Sequence, residues 1–192
     1  RHKAIEIAQD NVYEQRANAG DTIVSRQSED SQTSSAVHGS WSPANAQAVF
    51  ALNTKSRQVN NLRFFQGLMV QMTFNHPENI WSNTQVAYVL DLPSQDVLDL
   101  WGEVKLMLAP SGVKILPVDN PTKRQLLEAG WTEISVPPHM NDNTVKVVGT
   151  MHAKRKQYPI RPCIAITIHA AMGNEYRKVV SSVQDIGVIG DF

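Results

Sequence analysis

Cysteine is almost missing from this chain: Cys163 stands alone among 192 residues. A disulfide within the chain is therefore excluded, and no Cys/His spacing matches a structural zinc site. The lone thiol reads as a small buried hydrophobe. Long apolar runs are missing too, since no stretch approaches the about 18 residues that a membrane-crossing helix needs, and no signal-peptide pattern opens the sequence. Charge of one sign is also lacking: 18 Lys and Arg balance 18 Asp and Glu, so the total gives no sign of a polyanionic partner. No G-x-x-x-x-G-K-[ST] occurs, which leaves nothing to cradle a triphosphate, and no acidic Mg2+-binding box follows a strand. Together these gaps predict an intracellular, non-secreted protein that does not hydrolyse ATP by itself. Arg1 in place of Met predicts a fragment of a longer chain.

What is present is enough apolar residue, 42% of the chain, to build a core. The charges are also unevenly placed. Residues 1–77 carry seven basic and six acidic side chains, residues 78–142 four and nine, and residues 143–192 seven and three. The basic part is the tail.

HKAIEIAQDNVYEQRAN (2–18) sets Ile5, Ile7, Ala8 and Val12 at helical spacing, with Gly20 placed to stop the helix. DTIVSRQ then predicts a short strand. From Ser28 to Ala46 the chain is rich in Ser, Gln and Thr with Gly39 and Pro43 as breakers, which predicts a long loop or insert. The middle reads as β structure. GLMVQMTFN (67–75) and TQVAYVLDLP (84–93) alternate in polarity around a turn-forming HPENIWSN, which predicts a hairpin. EVKLMLAP (103–110), KILPV (114–118) and TEISVPPH (132–139) add strands, the last after a short helical segment at 121–129. Short strands at such spacing suggest a small barrel or curled sheet.

The last third changes character. TVKVVGTM (144–151) is strand-like, HAKRKQYPIRP is basic and marked by proline, and CIAITIHA (163–170) is an almost unbroken apolar run. Such a run fits a strand buried on both faces, as in a parallel sheet covered by helices, with VVSSVQDIGVI (179–189) as the next strand. The carboxyl end of a buried strand is where open α/β sheets bind ligands, and Thr167, His169, the turn at Gly173 and Glu175 fall there. A hydroxyl, an imidazole and free backbone N–H groups suit phosphate, and a carboxylate suits a ribose hydroxyl. The same residues also describe an ordinary hydrogen-bonded strand end. Lys154, Arg155, Lys156 and Arg161 precede this strand and Arg177 and Lys178 follow it, a set able to track phosphates or simply to face solvent. Phe64, Phe65, Trp81 and Trp101 lie in structural strands and read as core.

TIHAAMGNEY (167–176) resembles motif V of superfamily-one helicases, roughly T-x-H-x-x-[QK]-G and, in one branch, G-x-E-[FY]. Thr167, Ile168, His169, Gly173, Glu175 and Tyr176 match it in order. QYPIRPCIAI is similar to that family's lead-in. Upstream, FFQGLMVQMTFNHPENIWSNTQVAYVLDL resembles the segment G-M-P-V-x-[LI]-x-x-N, then N-G and a strand, that opens a small inserted barrel in the RecD-type and petite-integration-type branch. The resemblance extends loosely from about residue 1 to 185.

It implies an α/β fold, a partial RecA-like domain with a parallel sheet flanked by helices, interrupted by a β-rich insert. Residues 1–61 would belong to the RecA-like half, 62–142 to the insert, and 143–192 to RecA-like strands ending in the motif V-like turn. It further implies the carboxyl-terminal part of an ATP-dependent DNA helicase in a nuclear or other DNA-containing compartment. Thr167 and His169, with Lys154, Arg155, Lys156 and Arg161, would contact single-stranded DNA, and Gly173 and Glu175 would lie near the ATP cleft. ATP and Mg2+ would bind only with the missing amino-terminal RecA-like domain as partner. Ala170, Ala171 and Met172 depart from the family pattern, where polar side chains bridge DNA and nucleotide. That departure gives weight to an alternative, a catalytically degenerate binding or structural interaction module.

Overall fold

The computed structural model describes residues 2–34, 39–56, 58–140 and 144–163. The chain begins with α1 (His2–Asn18), which ends at Gly20 in a left-handed conformation, φ 89°. Two strands follow, β1 (Val24–Gln27) and β2 (Glu29–Thr33), then the short β3 (Ser42–Pro43). Helix α2 (Ala46–Lys55) is started by Asn45, whose side-chain oxygen accepts the Ala48 N–H at 2.9 Å. Removing that cap by Asn45→Ala is expected to cost about 1 kcal/mol, read as a lower urea midpoint with unchanged m.

Strands β4 (Asn61–Phe64), β5 (Met69–Met72) and β6 (Val86–Tyr88) lead to the short helix α3 (Gln95–Asp99) and to β7 (Val104–Leu108). Helix α4 (Lys123–Glu128) opens on a capping box between Thr122 and Gln125 and is followed by β8 (Thr132–Val136) and β9 (His139–Met140). Strands β10 (Val145–Val148), β11 (Met151–Gln157) and β12 (Ile160–Pro162) complete the described chain.

These strands form a two-stranded pair, β1 with β4, and two larger sheets. One sheet runs β12-β5-β6-β7-β8; the other runs β10-β11-β2-β3, with β9 added to β11. The main core lies around the first sheet, where Phe64, Leu68, Val70, Met72, Leu106 and Ile160 are buried together. A smaller core of Ala48, Leu52 and Ala153 seals α2 onto the second sheet. The chain passes between the sheets at Tyr158, since β11 pairs with β2 and β12 with β5.

The expected β5–β6 hairpin, β7, β8 and the helix at 121–129 are present, because alternating apolar residues or a complete cap mark them. Three expectations are corrected. The parallel sheet does not form among the described residues, where every strand pairing is antiparallel. The reason is local: β10 and β11 are joined by a tight turn at Gly149, φ 54°, and a turn that short can only return the chain antiparallel. The described part is thus mixed α/β with antiparallel sheets, and no RecA-like parallel core is seen in it. The apolar runs behind that expectation lie, beyond Cys163, outside the described residues.

Second, the loop expected over 28–46 contains β2 and β3. A strand reading EDSQT shows no apolar alternation, so nothing in its local sequence reveals it. Third, KILPV is an irregular connection between β7 and α4, with Leu116 packed on the Trp131 cluster and Pro117 withholding a ladder N–H.

Candidate nucleic-acid interface

The three consecutive cations of β11 are divided by the pleat of the strand. Ala153, Arg155 and Gln157 are buried, while His152, Lys154 and Lys156 turn to the other face. The register with β2 sets Arg155 opposite Asp30, Lys154 opposite Ser31 and Lys156 opposite Glu29.

On the inner face Arg155 is fully buried and its fork is committed. Its Nε donates to Asp30 Oδ1 at 2.8 Å and its Nη2 to Asp30 Oδ2 at 2.7 Å. Further donations reach Asn53 Oδ1 at 2.7 Å and the Gln58 carbonyl at 3.1 Å. This arginine has no surface to offer a phosphate in the fold; it ties β11 to β2, α2 and the connection to β4.

The outer face interleaves cations with tryptophans. Lys154 Nζ stands 4.0 Å from the centroid of the Trp41 ring. Lys156 Nζ lies 4.6 Å, and the Arg26 guanidinium carbon 4.0 Å, from the Trp101 ring centroid. Trp101 Nε1–H donates to Glu29 Oε1 at 2.6 Å, and Arg26 Nη2 donates to the same oxygen at 3.0 Å. Lys156 Nζ is 3.7 Å from Glu29 Oε2. Cation-over-ring contacts of this kind are the chemistry by which aromatic and basic side chains also hold unstacked bases and their phosphates.

Trp101 occupies an unusual backbone position. Past Leu100, which caps α3, it takes φ 56°, a left-handed conformation normally given to Gly, at a cost of about 1–2 kcal/mol. The indole hydrogen bond and the contact with the Tyr158 ring, 5.6 Å between centroids, hold it there.

Of the basic residues expected to act together, only Lys154 and Lys156 share a face. Arg161 stands on β12 in the other sheet, where its Nε and Nη2 donate to Gln71 Oε1 at 3.0 and 2.6 Å. Thr167, His169, Gly173 and Glu175 lie outside the described residues, as do Ala170, Ala171 and Met172. Phe64, Phe65 and Trp81 are core as expected, whereas Trp101 is half-buried. Sequence reasoning missed Arg26, Trp41 and Glu29. The one available signal was the K-x-K spacing at 154 and 156, which places two lysines on one side of any strand. Cys163, expected to be buried, is partly buried beside the Trp131 cluster, and desolvation pushes its thiol up to about 11. Among the described residues, no helix is long and apolar enough to cross a membrane.

In fold the chain is similar to part of a helicase. Solved structures it is similar to include Pif1 helicases: against the crystal structure of the one from Candida albicans, 93% of this chain aligns with 37% of that protein at a TM-score of 0.56 and 18% identity. A structure of two coordinating Pif1 helicases unwinding forked double-stranded DNA aligns at a TM-score of 0.49, with 12% identity over 86% of this chain and 28% of that one. Unliganded Pif1 from a Bacteroides species aligns at 0.45, with 13% identity over 79% and 35%. The chain therefore spans between 28% and 37% of the length of these helicases, and at these identities the likeness is one of fold. No protein-family model matches the chain, and no curated protein matches it.

Proposed function

We propose that this chain is a helicase-derived domain that holds single-stranded DNA within a longer ATP-dependent motor. The observation that carries the reading is the outer face of β11, where Lys154 and Lys156 stand beside Trp41 and Trp101. The helicase-like fold and the motif V resemblance support it. In that reading Thr167 and His169 add contacts to the strand backbone, while Gly173 and Glu175 face the nucleotide. The described residues do not themselves fit ATP and Mg2+. They include no phosphate-cradling glycine loop and no group of three or more His, Cys, Asp or Glu placed to hold a metal. The nucleotide chemistry would therefore come from the remainder of the motor, the amino-terminal RecA-like partner. Ala170, Ala171 and Met172 favour a second reading, a binding module whose ATPase role has been lost.

Anisotropy of a labelled oligothymidylate tests the shared claim. Binding is expected at low salt and should weaken steeply as salt rises. Lys154→Ala with Lys156→Ala should weaken it about ten-fold, and Trp41→Ala by a similar factor through lost stacking. Absence of binding by the unaltered chain at low salt would sink the proposal. Arg161→Ala, on the other sheet, is the comparison of equal charge for Lys156→Ala alone and should have the smaller effect.

A further inference from the structure

Glu29 is the acidic residue at the centre of this basic face, and its surroundings are those of a bound anion. Three donors of different kinds converge on its carboxylate: the Trp101 indole N–H at 2.6 Å, the Arg26 guanidinium at 3.0 Å and the Lys156 ammonium at 3.7 Å. Its side chain nevertheless keeps 56% of its surface exposed, so water and solutes reach it. Exposed ion pairs hold weakly, and a carboxylate in such a place can be displaced by another anion.

We propose that Arg26, Lys156 and the Trp101 indole form a seat for one phosphodiester of a single-stranded nucleic acid, and that the Glu29 carboxylate fills this seat while no strand is bound. This rests on the single-strand reading above and names the atoms that would carry it. A phosphodiester presents two charged oxygens, as a carboxylate does, and so meets the same donors. Its chain then continues along the strand: Lys154 stands two residues from Lys156 on the same face, about 6.6 Å away, with Trp41 beside it for a base.

Two further features fit a seat rather than a chance pairing. Trp101 is held in a left-handed backbone conformation, φ 56°, the kind of local strain that gathers where a side chain must be aimed. Arg26 also presents a second terminal nitrogen, Nη1, beside the Nη2 that meets Glu29. Asp99, 3.9 Å from Arg26 Nη1, is the other carboxylate near the seat and does not share the indole.

The test compares Glu29→Gln with Glu128→Gln, which makes the same charge change on the exposed surface of α4. With labelled oligothymidylate, Glu29→Gln is expected to bind about three- to ten-fold tighter than the unaltered chain, with a salt slope steeper by about 0.7 for the phosphate gained. Glu128→Gln should leave both nearly unchanged. Equal effects from the two variants, or no gain from Glu29→Gln while the unaltered chain still binds, would overturn the seat and leave the proposed function standing. If neither the unaltered chain nor Glu29→Gln binds, the function itself fails and the seat with it. A second measurement does not depend on the variant folding: the indole N–H resonance of Trp101, assigned through its loss in Trp101→Phe, should move when oligothymidylate is added to the unaltered chain. An unmoved resonance at saturating strand overturns the seat.

Discussion

Replacing Arg155 with alanine is expected to lower folding stability by about 3–5 kcal/mol, measured by urea unfolding followed through tryptophan fluorescence. The loss comes chiefly from what is left behind. Asp30, with only 8% of its side chain exposed, would keep a buried charge without its guanidinium partner, and Asn53 and the Gln58 carbonyl would lose their donor. Arg155→Lys should fall between, because an ammonium keeps the charge but cannot bridge both oxygens of Asp30 at 2.7 and 2.8 Å. A double change, Arg155→Met with Asp30→Leu, removes both charges and should recover most of the loss. DNA affinity, measured where Arg155→Ala remains folded, should stay close to that of the unaltered chain. A cost below about 1 kcal/mol, or a large affinity loss without destabilisation, would show that Arg155 acts at the surface after all.

Tyr158 is the second position of large effect. It is fully buried where the chain leaves one sheet for the other, its ring lies edge-on to Phe64 at 6.4 Å, and its hydroxyl donates to the Gly102 carbonyl at 2.6 Å. Tyr158→Ala should cost about 3–5 kcal/mol, since it opens a cavity and removes the support of Trp101. Tyr158→Phe keeps the ring and should cost about 1 kcal/mol for the single hydrogen bond. The two variants therefore differ in DNA binding: the phenylalanine should retain it, and the alanine should lose part of it along with the Trp101 contact.

Alkaline pH gives an independent check. Burial pushes the Tyr158 phenol up to about 12, with Arg26 opposing the shift. Below pH 10 the phenol is neutral in both folded and unfolded chains, so its contribution is fully present. Between about pH 10 and 12 the unfolded chain ionises first, and stability falls as pH rises. Tyr158→Phe removes that share of the alkaline loss, so the stability gap between it and the unaltered chain should narrow from pH 9 to 11. Tyr13 and Tyr88 are also raised by burial and keep a residual alkaline loss in the variant. A gap that stays constant across this range would count against a buried phenol at 158.

Where apolar residues alternate or a helix is capped, the elements can be read along the chain. Met69–Met72 and Val86–Tyr88 show their inward residues, and Thr122 with Gln125 announces α4. Strand β2 cannot be read this way, because Asp30 finds its partner 125 residues away and its neighbours are Ser, Gln and Glu. The missed strand carries Glu29, and the stretch that hid it also carries Trp41, so these two parts of the candidate interface were invisible for the same reason.

By itself the sequence determined that 152–162 would be basic and that positions 154 and 156 share a face of any strand, because side chains alternate along it; it ran a strand through Gly149, where the structure has the turn between β10 and β11. It left open which face would meet the core. The tertiary structure decided that: α2 covers one side of the sheet, and Asp30 stands opposite Arg155 beneath it. A buried carboxylate requires its counter-charge, so the middle cation turns inward and its two neighbours, with Trp41 and Trp101, are left to the solvent.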